Sequence, residues 1–150
     1  MSIALKYIDK TAATKAALRD YDSMSVIIAN TPDNLKNIYE QMASPHSSVP
    51  DGLPIAHNPK AGEDRLSSKL DTLDILRERY RAAVEYMAWF KPAWNALSDD
   101  ERYILRESYM GVSYRSGSTA RIMTESHFSE RHVERLRSKA LHRLQLLLFG

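Results

Sequence analysis

Cysteine is absent from all 150 residues, which excludes a disulfide scaffold, a thiolate zinc site and a cysteine nucleophile together. Only five glycines occur, scattered along the chain, so no glycine-rich phosphate loop exists. Long apolar runs are missing too. The stretch from Leu146 to Phe149 is among the longest, far short of the 18 or so residues that a membrane span needs. The opening MSIALKYIDK lacks the apolar core of a signal peptide. No alternating β-branched runs are bounded by hairpin turns. What is present is ordinary globular usage, 43% hydrophobic and 27% charged, which excludes wholesale disorder. The expectation is an all-α, soluble, cytoplasmic protein with no membrane partner.

The net charge of +2 hides an asymmetry. Met1 to Met110 holds 14 Lys and Arg against 16 Asp and Glu, a net of −2, whereas Gly111 to Gly150 holds 7 against 3, a net of +4. Three of the five histidines also lie in that basic end. Such a division points to a polyanion partner, although a solvated helix face carries the same charges.

Four of the six prolines (Pro45, Pro50, Pro54 and Pro59) fall in one stretch. Residues 44–62 therefore read as a connector between two helical blocks. The first block, an N-terminal arm over 1–43, repeats Leu18, Tyr21, Met24, Ile28, Leu35, Ile38 and Met42 at helical steps. Thr31-Pro32-Asp33 interrupts it, with Thr31 placed as an N-cap, so two helices or one kinked helix are expected, breaking near Asn30. The second block, 63–94, repeats Leu66, Leu70, Leu73, Leu76, Tyr80, Val84 and Met87. Pro92 is expected to end or kink it. Two such stripes suit an antiparallel hairpin, and a coiled-coil dimer buries them equally well. Trp89, Phe90 and Trp94 are expected in a core between arm and C-terminal domain.

A new unit, 95–150, opens at Ser98-Asp99-Asp100-Glu101, a capping-box pattern. Tyr103, Ile104, Leu105 and Tyr109 give its helix an apolar side, and Gly111 stands where a helix closes. A fragment from about Ala93 onward is expected to fold alone. After the loop 112–117, Thr119–Glu125 is a short helix, Ser126-His127-Phe128 a break, and Ser129 the cap of a last helix. In that helix Val133, Leu136, Ala140, Leu144 and Leu147 form the core stripe, while Glu130, Arg131, Glu134, Arg135 and Ser138 share the opposite side. A short helix, a tight turn and a capped helix with basic residues at its start are the parts of a helix-turn-helix, whose second helix enters the major groove. An ordinary amphipathic helix has the same pattern.

The residues themselves add a resemblance. LSDDERYILRESYM followed by STARIMTESHFSERHVERLRSKALHRLQLLL is similar to region four of bacterial sigma factors. Leu97, Glu101, Arg102, Tyr109, Ile122, Ser129, Val133, Leu136, Lys139, Ala140, Leu141 and Leu144 carry it. His127 stands where that family has its turn glycine, and histidine tolerates a left-handed backbone better than most residues. The whole layout resembles small phage-encoded, sigma-region-four-like proteins of Gram-positive prophages, which include regulators of late phage genes. This implies a transcription regulator bound to double-stranded promoter DNA, with bacterial RNA polymerase as a second partner. It places Ser129, Glu130, Arg131, Glu134, Arg135 and Ser138 at the DNA, with Arg137 and Lys139 near phosphates. Arg131 and Arg135 suit bidentate contacts to guanine, and Glu134 suits cytosine. Glu134 paired with Arg131 or Arg137 on the helix surface, and Lys139 as a solvated charge, fit the same spacing.

Signals for enzymatic chemistry and for a cofactor fail. His127 and His132 are five residues apart, off the spacing that places two ligands on one helix face. No triad arrangement of Ser, His and Asp emerges. Two other classes remain: an oligomeric DNA-packaging protein like a small terminase subunit, with the arm driving self-association, and a coiled-coil adaptor without DNA binding.

Overall fold

The structure is a computed structural model that describes residues 9–44, 60–111 and 117–150. All of its regular elements are helices: α1 (Lys10–Ala43), α2 (Ala61–Asn95), α3 (Asp99–Tyr109), α4 (Ser118–Ser126) and α5 (Glu130–Phe149). No described residue is in a strand, and no helix among them is long and apolar enough to cross a membrane. The proline-rich connector and the loop after Gly111 lie largely outside the described residues.

Neither proline ends its helix. Pro32 lies inside α1 and Pro92 inside α2, each interior proline removing a helical N–H donor at a cost of about 3 kcal/mol. Thr31 is therefore not an N-cap. It is buried in mid-helix, and its hydroxyl donates to the Ile27 carbonyl at 2.6 Å. Around Pro92, burial of Phe90, Ala93 and Trp94 holds the helix together across the missing donor. At Pro92 tertiary burial outweighs local propensity.

The chain divides into two compact units, Met1–Ser25 with Val84–Gly150, and Val26–Ala83. In the first, Ala17, Leu18, Phe90, Ala93, Trp94, Leu97, Leu105, Met110, Ala140, Leu141 and Leu144 form one buried cluster. The start of α1 and the end of α2 thus belong to the same core as α3 and α5, and a boundary at residue 95 cuts through it. Tyr21, Phe90 and Trp94 stack there, with Phe90 and Trp94 centroids 5.8 Å apart. The Tyr86 hydroxyl donates to the Ala17 carbonyl at 2.5 Å, and burial first, then the nearby Asp20, Tyr21 and Asp22, raises its pKa. Trp89 departs from expectation. It is 41% exposed, although its ring meets Phe149 edge-on.

In the second unit the end of α1 runs antiparallel to the start of α2. Lys69 donates to the Gln41 carbonyl at 3.3 Å, and Arg77 to the Tyr39 hydroxyl. Leu73 is covered, whereas Leu66, Leu70 and Tyr80 of the expected stripe are exposed, as is Val84 further along α2.

Candidate nucleic-acid interface

The basic C-terminal residues are organised by three local devices. At the start of α3, Ser98 Oγ accepts from the Glu101 amide at 3.3 Å while the Ser98 amide donates to Glu101 Oε2 at 2.9 Å, completing the capping box. At the start of α5, Ser129 Oγ accepts from the His132 amide at 3.4 Å. Between α4 and α5 the chain turns at His127, the one non-glycine of positive φ among the described residues, at φ 56° and ψ 25°. That left-handed residue closes α4, and α5 begins after only three residues, 127–129.

A second buried cluster fixes α4 against α3 and α5. Ile104, Ile122 and Val133 are fully covered, with Tyr103, Met123, Phe128 and Leu136 packed around them. Polar ties reinforce it: Tyr103 donates to the Glu125 carboxylate, and Arg121 pairs with Glu107 at 3.6 Å. The bond to Glu125, then burial, pushes the Tyr103 hydroxyl up to about 12.

The exposed side of α5 gathers most of the expected site. Ser129, Glu130, Arg131, Glu134, Arg135, Ser138 and Lys139 are all exposed, and Val133, Leu136, Ala140 and Leu144 face inward. Leu147 departs from the stripe and is 45% exposed, while Leu141 takes an inward place instead. Arg137 departs as well. Its side chain is half-buried, with Nε donating to Ser108 Oγ at 2.9 Å and Nη2 to Thr119 Oγ1 at 2.8 Å. It clamps α3 and α4 onto α5 and turns away from the exposed face.

His132, weighed in the sequence only as a metal ligand, joins this surface. Its ring meets Phe128 edge-on at 4.6 Å, and its Nδ1 lies 3.0 Å from Arg135 Nη2. With Ser129, Arg131 and Arg135 it lines an open cleft of about 330 Å³ at the N-terminal end of α5. The i, i+3 spacing of His132 and Arg135 is the signal that could have found it. A larger cleft of about 640 Å³, lined by Lys91, Trp94, Arg102 and Arg106 among others, was equally unforeseen.

No family model, curated protein or solved structure matches the chain. The physical reading of the α5 surface therefore rests on its own geometry. Two arginines and a serine converge on a cleft at a helix N-terminus, where the backbone N–H groups and the helix dipole favour an anion. Acidic residues are present too, since Glu130 and Glu134 share the exposed side with Arg131, Arg135 and Lys139. Mixed charge of this kind suits hydrogen-bond reading of base edges better than plain attraction to a polyanion. Among the described residues no group of three His, Cys, Asp or Glu side chains is placed to hold a metal ion.

Proposed function

We propose that this chain is a sequence-specific DNA-binding transcription regulator of phage origin, with α4, the His127 turn and α5 acting as a helix-turn-helix. In this reading α5 enters the major groove, Arg131 and Arg135 contact guanine edges, Glu134 accepts from cytosine, and Lys139 meets a phosphate. Ser129, Glu130 and Ser138 line the same approach. The observation that carries it is the exposed N-terminal half of α5, whose cleft between Ser129, Arg131, His132 and Arg135 stands on a packed three-helix base. The resemblance to sigma region four supports it and suggests RNA polymerase as a further partner.

Selection from a random duplex pool with the purified full chain tests the proposal. One enriched motif is expected, with affinity falling steeply as salt rises, because neutralised phosphates release counterions. Weak binding that ignores sequence, by a large ring, would favour the packaging class. No binding at all would leave the adaptor class.

A further inference from the structure

Three cations meet on the side of α3 turned away from α5. Arg102 and Arg106 stand one turn apart, opposite Ile104 and Ser108, which meet Val133 and Arg137 of α5. Lys91 of α2 joins them, and the three line one open cleft of about 640 Å³. Every residue of its lining belongs to the unit formed by Met1–Ser25 with Val84–Gly150.

These cations are only partly neutralised. Asp99 is the one acidic residue among the described lining, and it pairs with Arg102. Arg106 lies over the Trp94 ring, 5.9 Å from its centroid, a contact that positions the guanidinium and leaves its charge unspent. Neither Lys91 nor Arg106 has a carboxylate partner among the described residues. Three cations against one carboxylate leave the lining at +2. Converging like charges repel, and an anion seated between them removes that repulsion.

The donors select the anion. Two guanidinium forks and an ammonium offer more N–H groups than a carboxylate accepts, and they suit the terminal oxygens of a phosphate monoester, whose dianion balances the lining. The half-buried rings of Tyr21 and Tyr103 and the exposed Asn95 amide border the same cleft. Ring faces stack on a planar base, and an amide both donates to and accepts from its edge. The volume is within the range of about 300–1,000 Å³ typical of small-ligand sites. The DNA reading of α5 uses a different surface, because Arg131 and Arg135 are exposed on the side of α5 opposite the residues that pack on α3.

We propose that this cleft binds a nucleotide, with Lys91, Arg102 and Arg106 holding its phosphate and Tyr21, Asn95 and Tyr103 its base. The proposal is independent of DNA binding.

Calorimetric titration of the full chain with AMP, GMP, CMP and UMP tests it. At least one is expected to bind one to one with a Kd below about 1 mM. Its unphosphorylated nucleoside, and inorganic phosphate alone, should each bind about tenfold more weakly or not at all. Binding of none of the four, or equal affinity for either fragment, overturns the proposal. Lys91→Glu and Arg106→Ala should each weaken binding about tenfold. Lys91 is exposed, so its variant should keep native helicity even if removing Arg106 from Trp94 loosens the fold; unchanged affinity in Lys91→Glu overturns the proposal. Arg135→Ala should bind the nucleotide as the native chain does. A loss there would place the nucleotide at α5, and its displacement from that variant by random duplex would assign the three cations to a DNA backbone; either result overturns the proposal.

Discussion

Arg143 reaches back from α5 to the first turn of α3, where its Nη1 donates to Glu101 Oε2 at 2.8 Å. The two side chains differ sharply in environment, Glu101 being 9% exposed and Arg143 51%. The same carboxylate also accepts from the Ser98 amide, so one group caps α3 and ties it to α5.

Stability should therefore depend on pH through Glu101. Burial alone would raise its pKa, but the Ser98 amide and Arg143 outweigh burial and hold it below the ordinary 4.5. A depressed folded-state value means that its contribution is full above the unfolded value and is lost as pH falls through the folded one. Urea midpoints measured between about pH 6 and pH 3 should drop less for Glu101→Gln than for the native chain. At neutral pH that variant should lose about 1 kcal/mol, since Gln keeps the capping geometry and loses only the charge. Parallel pH profiles would remove Glu101 from this role.

Arg137 should behave as a structural clamp. Arg137→Ala strands the hydroxyls of Ser108 and Thr119 and should cost about 1–3 kcal/mol in thermal or urea unfolding. Measured below its melting point, the variant should keep the native salt slope on DNA. A slope reduced by about one would show that the guanidinium leaves its clamp to meet a phosphate.

Arg135 and Lys139 should separate base reading from phosphate contact. Arg135→Ala should cost about 1–3 kcal/mol on the selected site and much less on random duplex. Lys139→Ala should weaken both alike. Both side chains are exposed, so circular dichroism should be unchanged in either variant. Equal losses on both duplexes for Arg135→Ala would place a different face of α5 in the groove.

His127 holds its left-handed conformation against a steric cost of about 1–2 kcal/mol for a residue with a Cβ. Glycine removes that cost but adds about 0.5–1 kcal/mol of unfolded-chain entropy. His127→Gly should thus raise stability by up to about 1 kcal/mol, while a β-branched His127→Ile should lower it. A melting temperature lowered by glycine would mean that the imidazole makes a compensating contact.

Leu18 is distant in sequence from α3 and α5 yet fully buried in the cluster that includes Leu105 and Leu144. Leu18→Ala should cost about 2–5 kcal/mol. A fragment beginning at Ala93 lacks both Leu18 and Phe90 and should not unfold cooperatively, contrary to what the capping box and apolar pattern of 95–150 suggest alone. A sharp transition in that fragment would show that α3, α4 and α5 suffice as a core.

What was legible in the sequence of this protein is what bonds across a single turn. Ser98 and Glu101, Ser129 and the His132 amide, and the turn at His127 involve residues at most a few positions apart, so the residue types are enough to announce them. The exposed half of α5 was legible for the same reason, because helical period alone separates Arg131, Glu134 and Arg135 from Val133, Leu136 and Ala140. Tertiary structure decided the rest. Pro32 and Pro92 both lie within continuous helices, and at Pro92 the buried neighbours Phe90 and Trp94 outweigh the missing donor. Arg137 turned inward because Ser108 and Thr119 stand opposite it, and Leu141 rather than Leu147 took the inward place. Leu18 joined a core that extends more than a hundred residues downstream, to Leu144. Helical period sets where a side chain points around its own axis, but the energy of that direction belongs to the partner, and the partner lies elsewhere in the chain.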